Sequence, residues 1–395
     1  MGRRCDGPYF FDIIHVIHYK WGRKMDEIKG LNINEVLDEL KKNADNEDVK
    51  HIVESFEDEE YADVIHYMES AKKSYQNNEN VTYGLLLLEL LSNMQLNKKE
   101  EAESNIETLY SKTQDHDRER LLIIGELASD VNLKLARKIL SKLVKLLEEE
   151  TQKSPQITGK AYLLLAEVEE NLQKLPRAIK YYQQGLAIFS EMEGSKGFLS
   201  IVKYKMGNLY SSIGNKDDAI ESFKKALELT EHDEGKIPIL VSLGKILGSM
   251  EKEEEAFTYL SEALGLIEKS TLNNNIIHAE ALTEVAYYYF DSGKVDQAIS
   301  YYERALAIYE KEKVVPNRKR GMIHMQYAYC LEHKEQPNIP QAGMQYENGL
   351  RYLEQAGDRE LYENALMDVI SFFTTTNNKK KKRIYENKFL KLGKN

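Results

Sequence analysis

The sequence predicts an all-α protein: a right-handed α-solenoid of about seven helix pairs with a C-terminal cap, preceded by a small helical module. Three observations predict it. A small side chain returns every 37 to 44 residues, at Ala136, Ala178, Ala219, Ala256, Ala298 and Ala342, and self-similarity at such a period is the signature of stacked repeats. From Ala178 onward each anchor has a second small residue twelve positions earlier (Ala166, Gly207, Gly244, Ala286, Cys330) and a third seven later (Gly185, Ala226, Ala263, Ala305, Gly349). Seven prolines, 30% charged and 42% hydrophobic residues in a chain of 395 fit long amphipathic helices around a large core.

In chain order, residues 1–24 stand apart. They carry five basic and two acidic residues and the only tryptophan, against fifteen acidic and six basic from Met25 to Tyr75. Two readings of this segment stay open: a short anchoring helix with Phe10, Phe11, Ile13, Ile14 and Val16 as its apolar content, or an extension ahead of a native start at Met25. The apolar run is too short, and too interrupted by His15 and His18, for a signal peptide, and Asp6 stands where a myristoylation signal has Ser or Thr. Residues 25–78 read as a helical N-terminal module. Ile33, Val36, Leu37 and Leu40 share one helical face behind Asn32 or Asn34 as cap, and Ile52, Val53, Phe56, Val64, Ile65 and Met68 form a second stripe.

Residues 79–395 form the stack. Its first two repeats, at Ala102 and Ala136, have bulky Leu90 and Ile124 twelve earlier and Leu109 and Leu143 seven later, which predicts wider helix crossings. In the five that follow, leucine succeeds the third small residue (Leu186, Leu227, Leu264, Leu306, Leu350). A large apolar residue sits four after each anchor (Tyr182, Phe223, Leu260, Tyr302, Tyr346). Small residues let two helices approach while the large side chains fill the flanking gaps. Neither helix buries its stripe alone, so the pairs stack. Glu360 to Lys391 is expected to be a final helix pair interrupted by an exposed loop, TTTNNKKKKR.

These spacings, with the segments YKMGNLYSSIGNKDDAIESFKKALEL and YYERALAIYEKE, resemble the tetratricopeptide repeat. Against that family's period of 34, the longer spacing implies helices lengthened by about one turn each. The resemblance implies a concave groove lined by the first helix of each repeat, at eighteen, fifteen, eleven, eight and seven positions before the anchor. The candidate peptide- or partner-binding residues carried over are Leu163, Glu167, Tyr204, Asn208, Ser211, Lys245, Thr283, Tyr287, His324 and Tyr327. Asparagine pairs with both donor and acceptor of an extended backbone, and tyrosine packs side chains while keeping its hydroxyl wet. The carboxylate clamp found in some members is not assembled: only Asn208 and Lys245 stand at matching central positions, flanked by Glu167 and Glu170. Residues 80–395 also resemble the peptide-pheromone receptors of Firmicutes, including the Rap regulators. Rap phosphatases carry a catalytic glutamine in their helical bundle, and Met25 to Tyr75 contains none.

The remaining signals narrow the function. A net charge of −11 argues against nucleic acid as the main partner. The longest apolar run, Leu85 to Leu88 with Leu90 and Leu91, is broken by Glu89 and spans no membrane, so no membrane is expected as a partner. Two cysteines, Cys5 and Cys330, make no disulfide framework, so a cytoplasmic location is expected. His15 and His18 lack a third ligand, Glu57 to Glu60 read as a solvated connection, and Lys379 to Arg383 could bind phosphate or an acidic partner but read more plainly as loop. With no phosphate loop, nucleophile elbow or paired-histidine metal motif, the expectation is a non-enzymatic bacterial regulator or adaptor without cofactor or metal. Its groove holds a peptide or protein segment, in the sharper form a signalling peptide, and its N-terminal module carries the output. The rivals are a Rap-like response-regulator phosphatase and a constitutive scaffold.

Overall fold

The computed structural model describes residues 33–43, 45–150, 154–192, 196–311 and 315–392. The expectations for residues 1–24, for a start at Met25 and for His15 and His18 lie outside them. Every regular element described is an α-helix. The N-terminal module is α1 (Ile33–Asn43), α2 (Glu47–Glu57) and α3 (Tyr61–Ser74). Seven pairs follow: α4 (Glu79–Gln95) with α5 (Lys99–Lys112), α6 (Arg118–Val131) with α7 (Leu133–Glu148), α8 (Pro155–Asn171) with α9 (Leu175–Phe189), α10 (Lys196–Ser212) with α11 (Lys216–Leu229), α12 (Asp233–Gly248) with α13 (Glu253–Ile267), α14 (Ile276–Asp291) with α15 (Val295–Tyr309), and α16 (Asn317–His333) with α17 (Ile339–Ala356). The cap is α18 (Arg359–Thr375) with α19 (Lys379–Leu392). The residues group into two compact units, one ending at Val202 and one beginning at Lys203.

In the N-terminal unit, the module does not form a core of its own. Leu37, Leu40, Ile52, Val53, Val64 and Met68 pack with Val81, Leu85 and Leu88 of α4. The opposite side of α4 joins an aliphatic core with α5 to α8, built on Leu90, Ile106, Leu121, Ile139 and Leu143. The bulky substitutes at the slots of the first two repeats therefore fill this core. Where α6 meets α7, the close approach is moved one residue along, to Gly125, whose added Cβ would lie 2.5 Å from Leu140 Cδ2.

The C-terminal unit shows why small and large residues recur together. A Cβ on Gly207 would lie 2.5 Å from the Phe223 ring, and one on Gly244 would lie 2.4 Å from Leu260 Cγ. The small residue twelve before the anchor and the large residue four after it are thus two halves of one contact. Gly321 and Gly349 bring α16 and α17 together so closely that a Cβ on either meets the other's carbonyl oxygen at 3.1 Å. Cys330 fills the equivalent slot, fully buried, and burial pushes its thiol up to about 12. First helices of successive repeats touch one another, α12 with α14 and α14 with α16, forming a continuous layer.

One expectation is corrected. TTTNNKKKKR is not a loop: α18 runs to Thr375 and α19 already begins at Lys379. Asn378 accepts a hydrogen bond from the Lys381 N–H at 3.1 Å and so caps the new helix. Lysine is a good helix former, so the run continues the helix once it is capped.

Candidate functional site

The first-helix layer of the C-terminal unit holds a polar stripe. Tyr204 on α10, Pro238, Val241, Ser242 and Lys245 on α12, and Ile277 and Glu280 on α14 line a small pocket. It is a small concavity of about 240 Å³ with its open mouth included. The Tyr204 hydroxyl reaches Ser242 Oγ at 3.4 Å. Burial pushes its pKa up, partly offset by Ser242 and by the nearby Asn208 amide. Asn208 sits one turn further along α10, only 6% exposed, and neither its Nδ2 nor its Oδ1 has a hydrogen-bond partner.

The floor of the stripe is ionic. Lys319 on α16 donates to Glu280 Oε1 at 2.7 Å, with side chains 27% and 10% exposed. Burial pushes the Glu280 carboxyl up, but Lys245 and Lys319 together outweigh it and hold the carboxyl below its ordinary value. The Lys319 ammonium also lies 5.3 Å from the centre of the Tyr309 ring. A buried carboxylate is thereby kept charged beside the pocket.

The other predicted lining residues are placed differently. Thr283 is fully buried and donates back to the Ala279 carbonyl at 2.7 Å. Tyr287 is half-buried, edge-on to Tyr302 at 6.1 Å, and lines a second small pocket with Gly244 and Glu284. His324 is buried, with Nδ1 bonded to Gln345 Oε1 at 2.6 Å and its ring stacked on Tyr352. Tyr327 is 2% exposed; its hydroxyl donates to the Glu303 carboxylate and accepts from Gln341 Nε2 at 2.7 Å. Ser211 is half-buried on α10. In the N-terminal unit, Leu163 packs against Gly185 and Glu167 is half-buried. The structure thus brings Tyr204, Asn208 and Lys245 into one stripe and sets Thr283, His324 and Tyr327 among helix contacts. Ser242 and Lys319 lie fourteen and twenty-three positions before their anchors, outside the positions the repeat spacing marks. Lys319 is revealed only by its reach to a carboxylate one repeat away.

The fold and this stripe define a helical-repeat protein with a polar first-helix face. The Tetratricopeptide repeat family profile matches residues 158–232 and 237–311. No curated protein matches the chain in sequence. Among solved structures, the apo form of RapI aligns with a TM-score of 0.59 at 15% identity, covering 92% of this chain and 97% of that one. Aspartyl phosphate phosphatase F from Bacillus subtilis aligns with a TM-score of 0.52 at 15% identity, covering 91% and 94%. The apo form of the quorum sensor NprR from B. thuringiensis aligns at 0.52 and 14% identity, covering 93% and 99%. The resemblance to tetratricopeptide-repeat proteins, and within them to Rap- and NprR-type folds, therefore extends over nearly the whole chain.

Proposed function

We propose that the first-helix face of the C-terminal unit binds an extended peptide or protein segment, and that the chain is a non-enzymatic cytoplasmic regulator acting through this contact. The observation that carries the reading is Asn208. An amide buried with both polar ends unpaired costs the fold roughly 1–3 kcal/mol per group, a cost that ligand backbone N–H and C=O groups would remove. A peptide touching several repeats at once would favour one arrangement of the stack over another, a population shift that the N-terminal module can report.

The test is binding. Peptides enriched from a random displayed library on the full chain should bind Asn208→Ala more weakly by about 1–3 kcal/mol, while Tm stays level or rises. Equal binding by an Asn208→Ala, Tyr287→Ala double variant would sink the reading. A second reading, response-regulator phosphatase, draws on the likeness to phosphatase F over 91% of this chain. Incubating a phosphorylated response regulator with the chain separates the two: an unchanged phosphate lifetime supports binding alone.

A further inference from the structure

The charge on α19 is not accounted for by the fold. This helix carries seven basic residues and one acidic, and its first turn holds four lysines where the helix dipole favours anions. Three cations are held: Lys381 by Glu347 at 2.8 Å, Lys382 by Glu386 at 3.7 Å and Lys388 by Glu354 at 3.4 Å. Lys379, Lys380, Arg383 and Lys391 are exposed and enter no ion pair among the described residues.

The helix has two faces. Tyr385 stacks on Phe373, and Phe389 and Leu392 pack with it against the core. On the outer face Ile384 is 47% and Leu390 63% exposed. At about 100° per residue, Lys379, Lys380, Arg383, Ile384, Leu390 and Lys391 fall within one arc of roughly 140°. A terminal repeat needs a polar outer face to meet water, but that requires neither one sign of charge nor two large apolar side chains among the free cations.

We propose that this outer face of α19 docks the protein on an anionic lipid bilayer, with Ile384 and Leu390 entering the headgroup region and the four free cations meeting lipid charges. Lysine ammonium groups are compact, strongly hydrated charges on flexible stems. They are depleted from specific protein interfaces, whereas clusters of 4–8 Lys/Arg on an amphipathic helix fit a diffuse anionic surface. Ile384 and Leu390 have no role against a phosphodiester backbone. A second copy meeting the first through this face would set like charges together. None of the described helices is long and apolar enough to cross a membrane, and docking in the plane of the interface requires none. The net charge of −11 is locally reversed here, which the whole-chain balance conceals.

The test is flotation of the full chain with vesicles of phosphatidylcholine alone or mixed with phosphatidylserine. Binding is expected only with the mixed vesicles and should vanish in about 1 M salt, where screening reaches ~3 Å. Each neutralised cation should weaken it about fivefold, so Lys380→Gln, Arg383→Gln should lose roughly 25-fold. Ile384→Ser, Leu390→Ser should weaken binding yet leave its salt dependence. All four sites are exposed, so unaltered melting should show that the variants remain folded. Absence of flotation, equal binding to neutral vesicles, or wild-type binding by the charge variant overturns the proposal. Preference for soluble polyglutamate over vesicles also overturns it, assigning the face to an acidic protein. None of these outcomes bears on the peptide-binding stripe.

Discussion

α10 and α16 hold the same place in their repeats, and each carries a tyrosine fifteen positions before its anchor, Tyr204 and Tyr327. Their fates differ. The Tyr327 hydroxyl is taken up by Glu303 of the preceding helix and Gln341 of the following one, and His324 nearby is taken up by Gln345 and Tyr352. On α10, Tyr204 has a 3.4 Å contact to Ser242, and the Asn208 amide lies near it without either polar atom making a hydrogen bond. Repeat position sets which way a side chain faces. Whether it then serves the fold or waits for a ligand depends on what the neighbouring helices carry opposite it.

Removing the ionic floor between the two regions should have the largest effect. Glu280→Gln leaves the largely buried Lys319 opposite a neutral amide, and loss of one partner from such a pair costs about 3 kcal/mol. Tm should fall by on the order of 10 °C, and wild-type stability at neutral pH would show that the pair is dispensable. The tyrosines come next. Tyr327→Phe gives up a hydrogen bond to a carboxylate and should cost about 1.5–3 kcal/mol, whereas Tyr204→Phe should cost under about 1 kcal/mol. Equal losses in denaturant unfolding would erase the contrast.

The smallest effect is expected from acid. Burial lowers the His324 pKa below its ordinary 6.5, with Arg351 and Arg320 adding to the fall and Gln345 and Glu310 opposing it. The folded state therefore binds fewer protons than the unfolded state just below 6.5, so stability is full above that pH and declines as pH falls toward the folded value. His278, lowered by burial first and then by Arg304, adds in the same direction. Tm measured from pH 7.5 to 5.5 should drop, and His324→Gln should reduce the drop. An identical pH profile in the variant would show that His324 does not titrate with unfolding.

Much of this architecture could be read from spacing. The seven pairs lie where the recurring anchors from Ala102 to Ala342 put them, and Gly207 beneath Phe223 shows the physical basis of the pattern. The degenerate repeats were less legible, because Gly125 lies one residue from the expected slot and its value depends on the shape of Leu140 across the interface. The lysine run reads as loop when its charge is weighed ahead of the cap at Asn378 and the helix propensity of lysine.

By itself the sequence determined the helices and their pairing, since these follow from local periodicity and side-chain volume, while the face carrying Tyr204, Asn208 and Lys245 was implied by the resemblance to the tetratricopeptide repeat. Only the tertiary structure decided that Asn208 is buried without partners, that Tyr327 is occupied by Glu303, and that Lys319 reaches Glu280. Hydrogen bonds and ion pairs of this kind join residues on different helices, and their existence depends on distances of a few ångströms that no repeat spacing fixes.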